Sequence, residues 1–177
     1  MTKRQEYKVL RTYEDFELRE YLPCVIAEVK ISAQYSTATS SAFSSLFNYI
    51  SKGNKSSEII AMTAPVITAQ KEDSSESAGW YVSFVMPSGS TFGHLPHPND
   101  SQVQLRELDT ETCIAKSFRG RATDELSRKM VRELRASASK ANIALSDETR
   151  ICRFDPPFKP GFLQYNEIVI PAYLEAV

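Results

Sequence analysis

Near the start of the chain, Val25, Ala27, Val29 and Ile31 alternate with Glu28 and Lys30, the period-two pattern of a strand with one buried face. Short strands are also expected over residues 7–13 and 16–21. Between residues 35 and 51 the period lengthens: Phe43, Leu46, Phe47 and Ile50 recur at the three- and four-residue spacings of one helix face. Gly53-Asn54 supplies a helix stop. Strand character returns over 59–68 and 80–86. The Ser, Asp, Glu and Gly residues of 71–79 cannot form a core and read as a mobile hairpin loop. Residues 87–100 hold three of the nine prolines and both histidines, the composition of an ordered but irregular crossover.

The remaining pattern repeats this order, with strands over 103–108 and 112–118, a helix over 123–142, and strands over 149–154 and 166–170. Residues echo as well. Phe16-Glu17-Leu18-Arg19-Glu20 followed by Cys24-Val25-Ile26-Ala27 is answered by Val103-Gln104-Leu105-Arg106-Glu107 followed by Cys113-Ile114-Ala115, with a turn two residues longer in the second copy. Met62-Thr63-Ala64-Pro65-Val66 is answered by Arg153-Phe154-Asp155-Pro156-Pro157. The expected architecture is a single α+β domain over residues 1–177. It would be an internal duplication of a β-β-α-β-β unit, with halves at about 7–87 and 101–172, a crossover at 88–100 and pseudo-twofold symmetry. Such symmetry places a groove at the junction, where ligands favour binding.

The two helices differ in character. The second places Leu126, Met130, Leu134, Ala138 and Ala141 on one arc and Arg121, Arg128, Arg132 and Arg135 opposite, an ordinary amphipathic surface helix. Those arginines read first as a solvated face, and second as an anion-binding stripe for a carboxylate-bearing ligand or an acidic protein partner. The first helix has no Lys, Arg, Asp or Glu from Gln34 through Ser51. Its apolar arc, with Tyr35, Ala42, Phe43, Leu46, Phe47, Tyr49 and Ile50, is wider than core packing alone requires. Either the sheet covers all of it or part faces a ligand.

With 177 residues, 42% of them hydrophobic, the chain suits one globular domain. It lacks the apolar run of about 18 residues that a membrane span needs, and its start lacks a secretory h-region, so a cytoplasmic location is expected. A formal net charge of −1 and pI ≈ 6.2 give no global attraction to nucleic acid or an anionic membrane, so any basic site is local. The arginine stripe also lacks interleaved aromatics, which disfavours nucleic acid further. Cys24, Cys113 and Cys152 form no C-x-x-C and are expected to be reduced and buried. His94 and His97 lie in a proline-flanked loop, a poor metal set. There is no G-x-S-x-G, P-loop, G-x-G-x-x-G or H-E-x-x-H, and no spacing selects a catalytic pair, so a binding protein is expected rather than an enzyme.

Several segments resemble the SOUL haem-binding-protein family: Tyr7-Lys8-Val9-Leu10, Phe16-Glu17-Leu18-Arg19, Phe43 to Ile50, and Ile60-Ala61-Met62-Thr63-Ala64-Pro65-Val66. Leu95-Pro96-His97-Pro98-Asn99-Asp100, Phe154-Asp155-Pro156-Pro157-Phe158-Lys159-Pro160 and Asn166-Glu167-Ile168 continue the match in order over nearly the whole chain. The resemblance implies a distorted antiparallel β-barrel with two helices, related to bacterial effector-binding domains. It also implies non-covalent binding of haem or another tetrapyrrole in an apolar cleft beside the first helix, in a carrier, buffer or sensor role. The matching positions are Phe43, Leu46, Phe47 and Ile50. No axial ligand is identifiable: Leu22-Pro23 stand where one subgroup has a histidine, and the first helix lacks the basic residues some members use for propionates. A module for a different amphipathic effector, or a protein-interaction domain, fits the same features.

Overall fold

The computed structural model describes residues 2–31, 35–70 and 79–174, and only the backbone of residues 35–39. Residues 71–78 of the loop expected over 71–79, and the side chain of Tyr35, lie outside the described residues. The elements in chain order are β1 (Lys3–Arg4), β2 (Tyr7–Thr12), β3 (Glu17–Tyr21), β4 (Cys24–Ile31), α1 (Tyr35–Ile50), β5 (Thr63–Gln70) and β6 (Trp80–Val85). After the crossover come β7 (Gln104–Leu108), β8 (Glu111–Arg119), α2 (Asp124–Lys140), β9 (Ala144–Leu145), β10 (Thr149–Arg153) and β11 (Tyr165–Tyr173). No described helix is long and apolar enough to cross a membrane.

The strands form one curled antiparallel sheet in the order β2-β3-β8-β11-β10-β5-β6-β4-β7, with β1 running parallel to β5 and β9 pairing with β11. The curl is strong but the sheet stays open, a half-barrel with β2 and β7 as its edges. From β3 to β7 the order reads the same from either end once β3 is exchanged with β7, β8 with β4, β11 with β6 and β10 with β5. The register sharpens that equivalence. Arg19 opposes Cys113 while Arg106 opposes Ile26, and Glu17 opposes Ala115 while Gln104 opposes Glu28. Cys113 therefore corresponds to Ile26 and not to Cys24, and no longer turn is needed in the second copy. The second echo also falls away, because Met62 precedes β5 whereas Arg153 ends β10.

Alternation along the strands separates three cores. Val25, Ala27, Val29, Val82 and Phe84 pack under α1, and Leu18, Ile114, Ile151, Ile168 and Ile170 pack under α2. On the opposite face, inside the curl, Ile26, Ile67, Val85, Cys113, Cys152 and Val169 form the third.

The strand expected over 59–68 begins later, at Thr63. Residues 51–60 instead turn back along the end of α1: Ile60 N donates to Ile50 O at 2.9 Å, and Asn54 Nδ2 donates to Tyr49 O at 2.8 Å. Gly53 is required there, because a Cβ would stand 2.4 Å from Asn48 O. Pro65, reached through a cis peptide, lies at the register shift between Thr63 and Val66, the bulge expected of a proline inside a strand. The crossover is tied to the same helix end, with Tyr49 Oη donating to Pro96 O at 2.8 Å.

Candidate functional site

Because α1 covers β4 and β6 while α2 covers β8 and β11, the central strands between them are only partly roofed. A cleft of about 1060 Å³ opens there. Its floor is Val66 and Gln70 of β5, Trp80 of β6, Arg153 of β10 and Asn166 of β11. One wall is Ser40 and Phe43 of α1. The other is the entry to α2, where Arg121, Ala122, Thr123, Asp124 and Arg128 meet Asp155, Pro157 and Gln164. The volume is that of a small-molecule site.

The four positions expected on α1 separate in the fold. Leu46 and Ile50 are packed in the core at 0% and 4% exposure, so neither offers surface to a ligand. Phe43 is half-buried, lines the cleft, meets Phe84 edge-on at 5.3 Å and stacks on Phe47 at 5.8 Å. Phe47 is exposed and continues the aromatic surface one turn further. On a helical projection of about 100° per residue, Ser40, Phe43 and Phe47 form one edge of the apolar arc, while Leu46 and Ile50 lie nearer its centre.

The arginine stripe divides in the same way. Arg121 and Arg128 reach the cleft. Arg135 donates to Ser146 O and Thr149 Oγ1, both at 3.2 Å, and ties the helix to the following segment. Arg153, which the sequence did not single out, donates to the Ala122 carbonyl at 3.2 Å from the cleft floor. Thr123 caps α2, accepting from Leu126 N at 3.2 Å. The Arg128–Asp124 pair is solvent-exposed and holds its partners weakly. Burial tends to push the Asp155 carboxyl up. The Tyr165 N–H at 2.7 Å and Lys159 Nζ at 2.9 Å overcome that and hold it below the ordinary carboxylate range.

His94 and His97 are exposed in the crossover, away from the cleft lining. Cys113 and Cys152 are buried on the opposite face of the sheet. Burial pushes the Cys113 thiol up to about 12 and Cys152 up as well. Among the described residues no group of three His, Cys, Asp or Glu side chains stands close enough to hold a metal.

Compared with known proteins, residues 2–171 match the family model described as SOUL heme-binding protein. The chain belongs to this family. It is 24% identical to Heme-binding protein 1 of Xenopus laevis over 155 residues, 86% of this chain and 81% of that one. Among solved structures, the EcmrR C-terminal domain superposes with a TM-score of 0.70 at 14% identity, covering 94% of this chain and 98% of that one. A hydrolase from Listeria innocua superposes at 0.58 with 10% identity, covering 93% and 94%. These likenesses show the shared fold.

The SOUL-family segments quoted above have distinct places here. Val66, Asp155, Pro157 and Asn166 line the cleft. Asn166 Nδ2 also donates to Gly120 O at 2.7 Å and so positions the entry to α2. Glu167 points to the other face and takes a bidentate contact from Arg19. Trp80 and Gln70 belong to none of those segments. A lone tryptophan at a strand start was the available signal for the first, and nothing marked the second.

Proposed function

We propose that this SOUL-family chain binds haem or another tetrapyrrole in the cleft between α1 and α2. The observation that carries the reading is the division of the lining. Phe43, Val66, Trp80 and Pro157 offer apolar surface, while on the α2 side Arg121, Arg128 and Arg153 outnumber Asp124 and Asp155. A flat ring carrying carboxylates at one edge matches both parts. Its faces gain from burial at roughly 25 cal/mol per Å², and its carboxylates gain charge-assisted hydrogen bonds. The family and its Xenopus relative support the same ligand class. Haem, when bound, supplies a redox-active iron. Among the described residues, those lining the cleft include no His, Cys, Met or Tyr, so affinity on this reading comes from ring burial and carboxylate contacts.

Titration with haem, protoporphyrin IX and its dimethyl ester tests this. Haem and the metal-free ring should bind within about threefold of each other, and the ester roughly tenfold more weakly. Arg121→Gln with Arg128→Gln should bring the acid form down to the ester's affinity. Equal binding of acid and ester would remove the arginines from the reading. No saturable binding of any of the three would remove the tetrapyrrole and leave the cleft to another amphipathic effector.

A further inference from the structure

The segment between Asp155 and Tyr165 carries large apolar side chains that the fold does not use. Phe158 is 88% exposed, Phe162 76% and Leu163 45%. Single apolar residues on a surface need no explanation, but three on one short loop make a patch. The loop is well tied. Asp155 accepts from Tyr165 N and Lys159 Nζ, Gln164 Nε2 donates to Lys159 O at 2.9 Å, and Arg119 donates to Leu163 O at 3.0 Å. A short 3-10 turn, Gly161–Leu163, fixes its far end. The backbone that carries the exposed rings is therefore already ordered, which lowers the cost of docking.

Cations surround this tip. Arg119 and Arg121 are exposed beside it, and Lys159 lies within it. The loop's one carboxylate, Asp155, is paired with Lys159, which leaves Arg119 and Arg121 as the excess positive charge beside the loop. With a formal net charge of −1 for the whole chain, attraction to an anionic surface has to be local, and here basic residues collect around an apolar projection.

We propose that this loop docks the protein on an anionic lipid bilayer, with Phe158, Phe162 and Leu163 entering the headgroup boundary and Arg119, Arg121 and Lys159 facing lipid anions. Scale favours a bilayer over a protein. A stable protein interface needs about 800 Å² of matched relief on each side, more than so short a projection offers. A bilayer accepts apolar side chains without a complementary pocket, and nearby cations add attraction. Pro157 and Gln164 of the same loop line the cleft, so docking sets the cleft mouth beside the lipid. Arg121 stands at both the cleft and the loop, so a cleft ligand that engages it leaves Arg119 and Lys159 to the lipid.

The test is co-sedimentation of the full chain with phosphatidylcholine vesicles, with and without phosphatidylserine. Wild type should bind the anionic vesicles and release at high salt, because screening acts on the cations. Phe158→Ser with Phe162→Ser should bind roughly tenfold more weakly while its far-UV spectrum and porphyrin titration match wild type. As a second readout, Phe158→Trp emission should shift to the blue on mixing with anionic vesicles. Wild type that ignores both vesicles, a serine variant that binds as well as wild type, binding independent of phosphatidylserine, or no blue shift overturns the proposal. The first of these would leave the exposed rings to a protein partner. Unchanged porphyrin binding alongside any of them keeps the cleft reading separate from this one.

Discussion

Arg19 and Glu167 come from opposite halves of the chain and meet inside the curl of the sheet. Arg19 Nη1 and Nη2 donate to the two carboxylate oxygens of Glu167 at 3.0 and 2.7 Å. Arg19 also donates to Glu17 at 2.8 Å and to Tyr21 Oη at 3.0 Å, and its guanidinium lies 4.0 Å from the Tyr7 ring centre. Tyr165 Oη donates to Glu167 at 2.9 Å. Arg19→Met leaves Glu167 buried without its cation and should cost about 3–5 kcal/mol, whereas Glu167→Leu leaves Arg19 its Glu17 partner and should cost less. Removing both should cost less than the sum of the two, because no orphan charge remains. Chemical denaturation of the two single variants and the double variant measures this, and additive losses would contradict it. The sequence showed Arg19 and Glu167 only as members of separate motifs. No local pattern announces a contact made across the sheet.

At the scale of elements, α1 shows both how far periodicity reads and where it stops. The spacing of Phe43, Leu46, Phe47 and Ile50 located the helix and its apolar side, and both are found. It could not say which edge of a wide arc the sheet leaves uncovered, since that depends on where β5 and α2 come to lie. Leu46, at 0% exposure, should cost about 2–5 kcal/mol as Leu46→Ala, with ligand affinity falling only as folded protein is lost. Phe43→Ala should lower porphyrin affinity in a protein that still unfolds cooperatively. Parallel denaturation and titration of the two variants separates these roles. If Leu46→Ala weakens binding in a stably folded protein, the cleft reaches deeper under α1 than its lining indicates. The late start of β5 has a similar cause: Ile59 to Met62 carry strand-like residues, but the turn closed by Asn54 holds them against the end of α1. The two-residue strands β1 and β9 are too short to leave any period in the sequence.

For the molecule as a whole, the register matters more than the element list. The order of strands and helices is legible in the sequence, and the duplicated order implies a groove at the junction, where the cleft lies. What periodicity does not contain is the choice of strand partners. β3, paired with β2 on one edge, pairs across the halves with β8 on the other, β7 pairs across with β4, and β5 and β10 join the halves along the centre. Each half thus completes the other's sheet. Cutting the chain in the crossover would expose the edges of β4, β5, β8 and β10 and open the apolar face inside the curl. Unpaired edges and unburied apolar faces are what a stable domain cannot carry. Neither half should fold alone, and the intact chain should unfold in one step. Trp80, on the cleft floor, reports the junction, while the far-UV signal reports the whole sheet. The two denaturant transitions should coincide, and separately produced fragments 1–90 and 91–177 should each give the spectrum of an unfolded chain. A folded fragment, or a Trp80 transition that precedes loss of the sheet, would show that the exchanged strands are an ornament on two independent units and not the means by which each is completed.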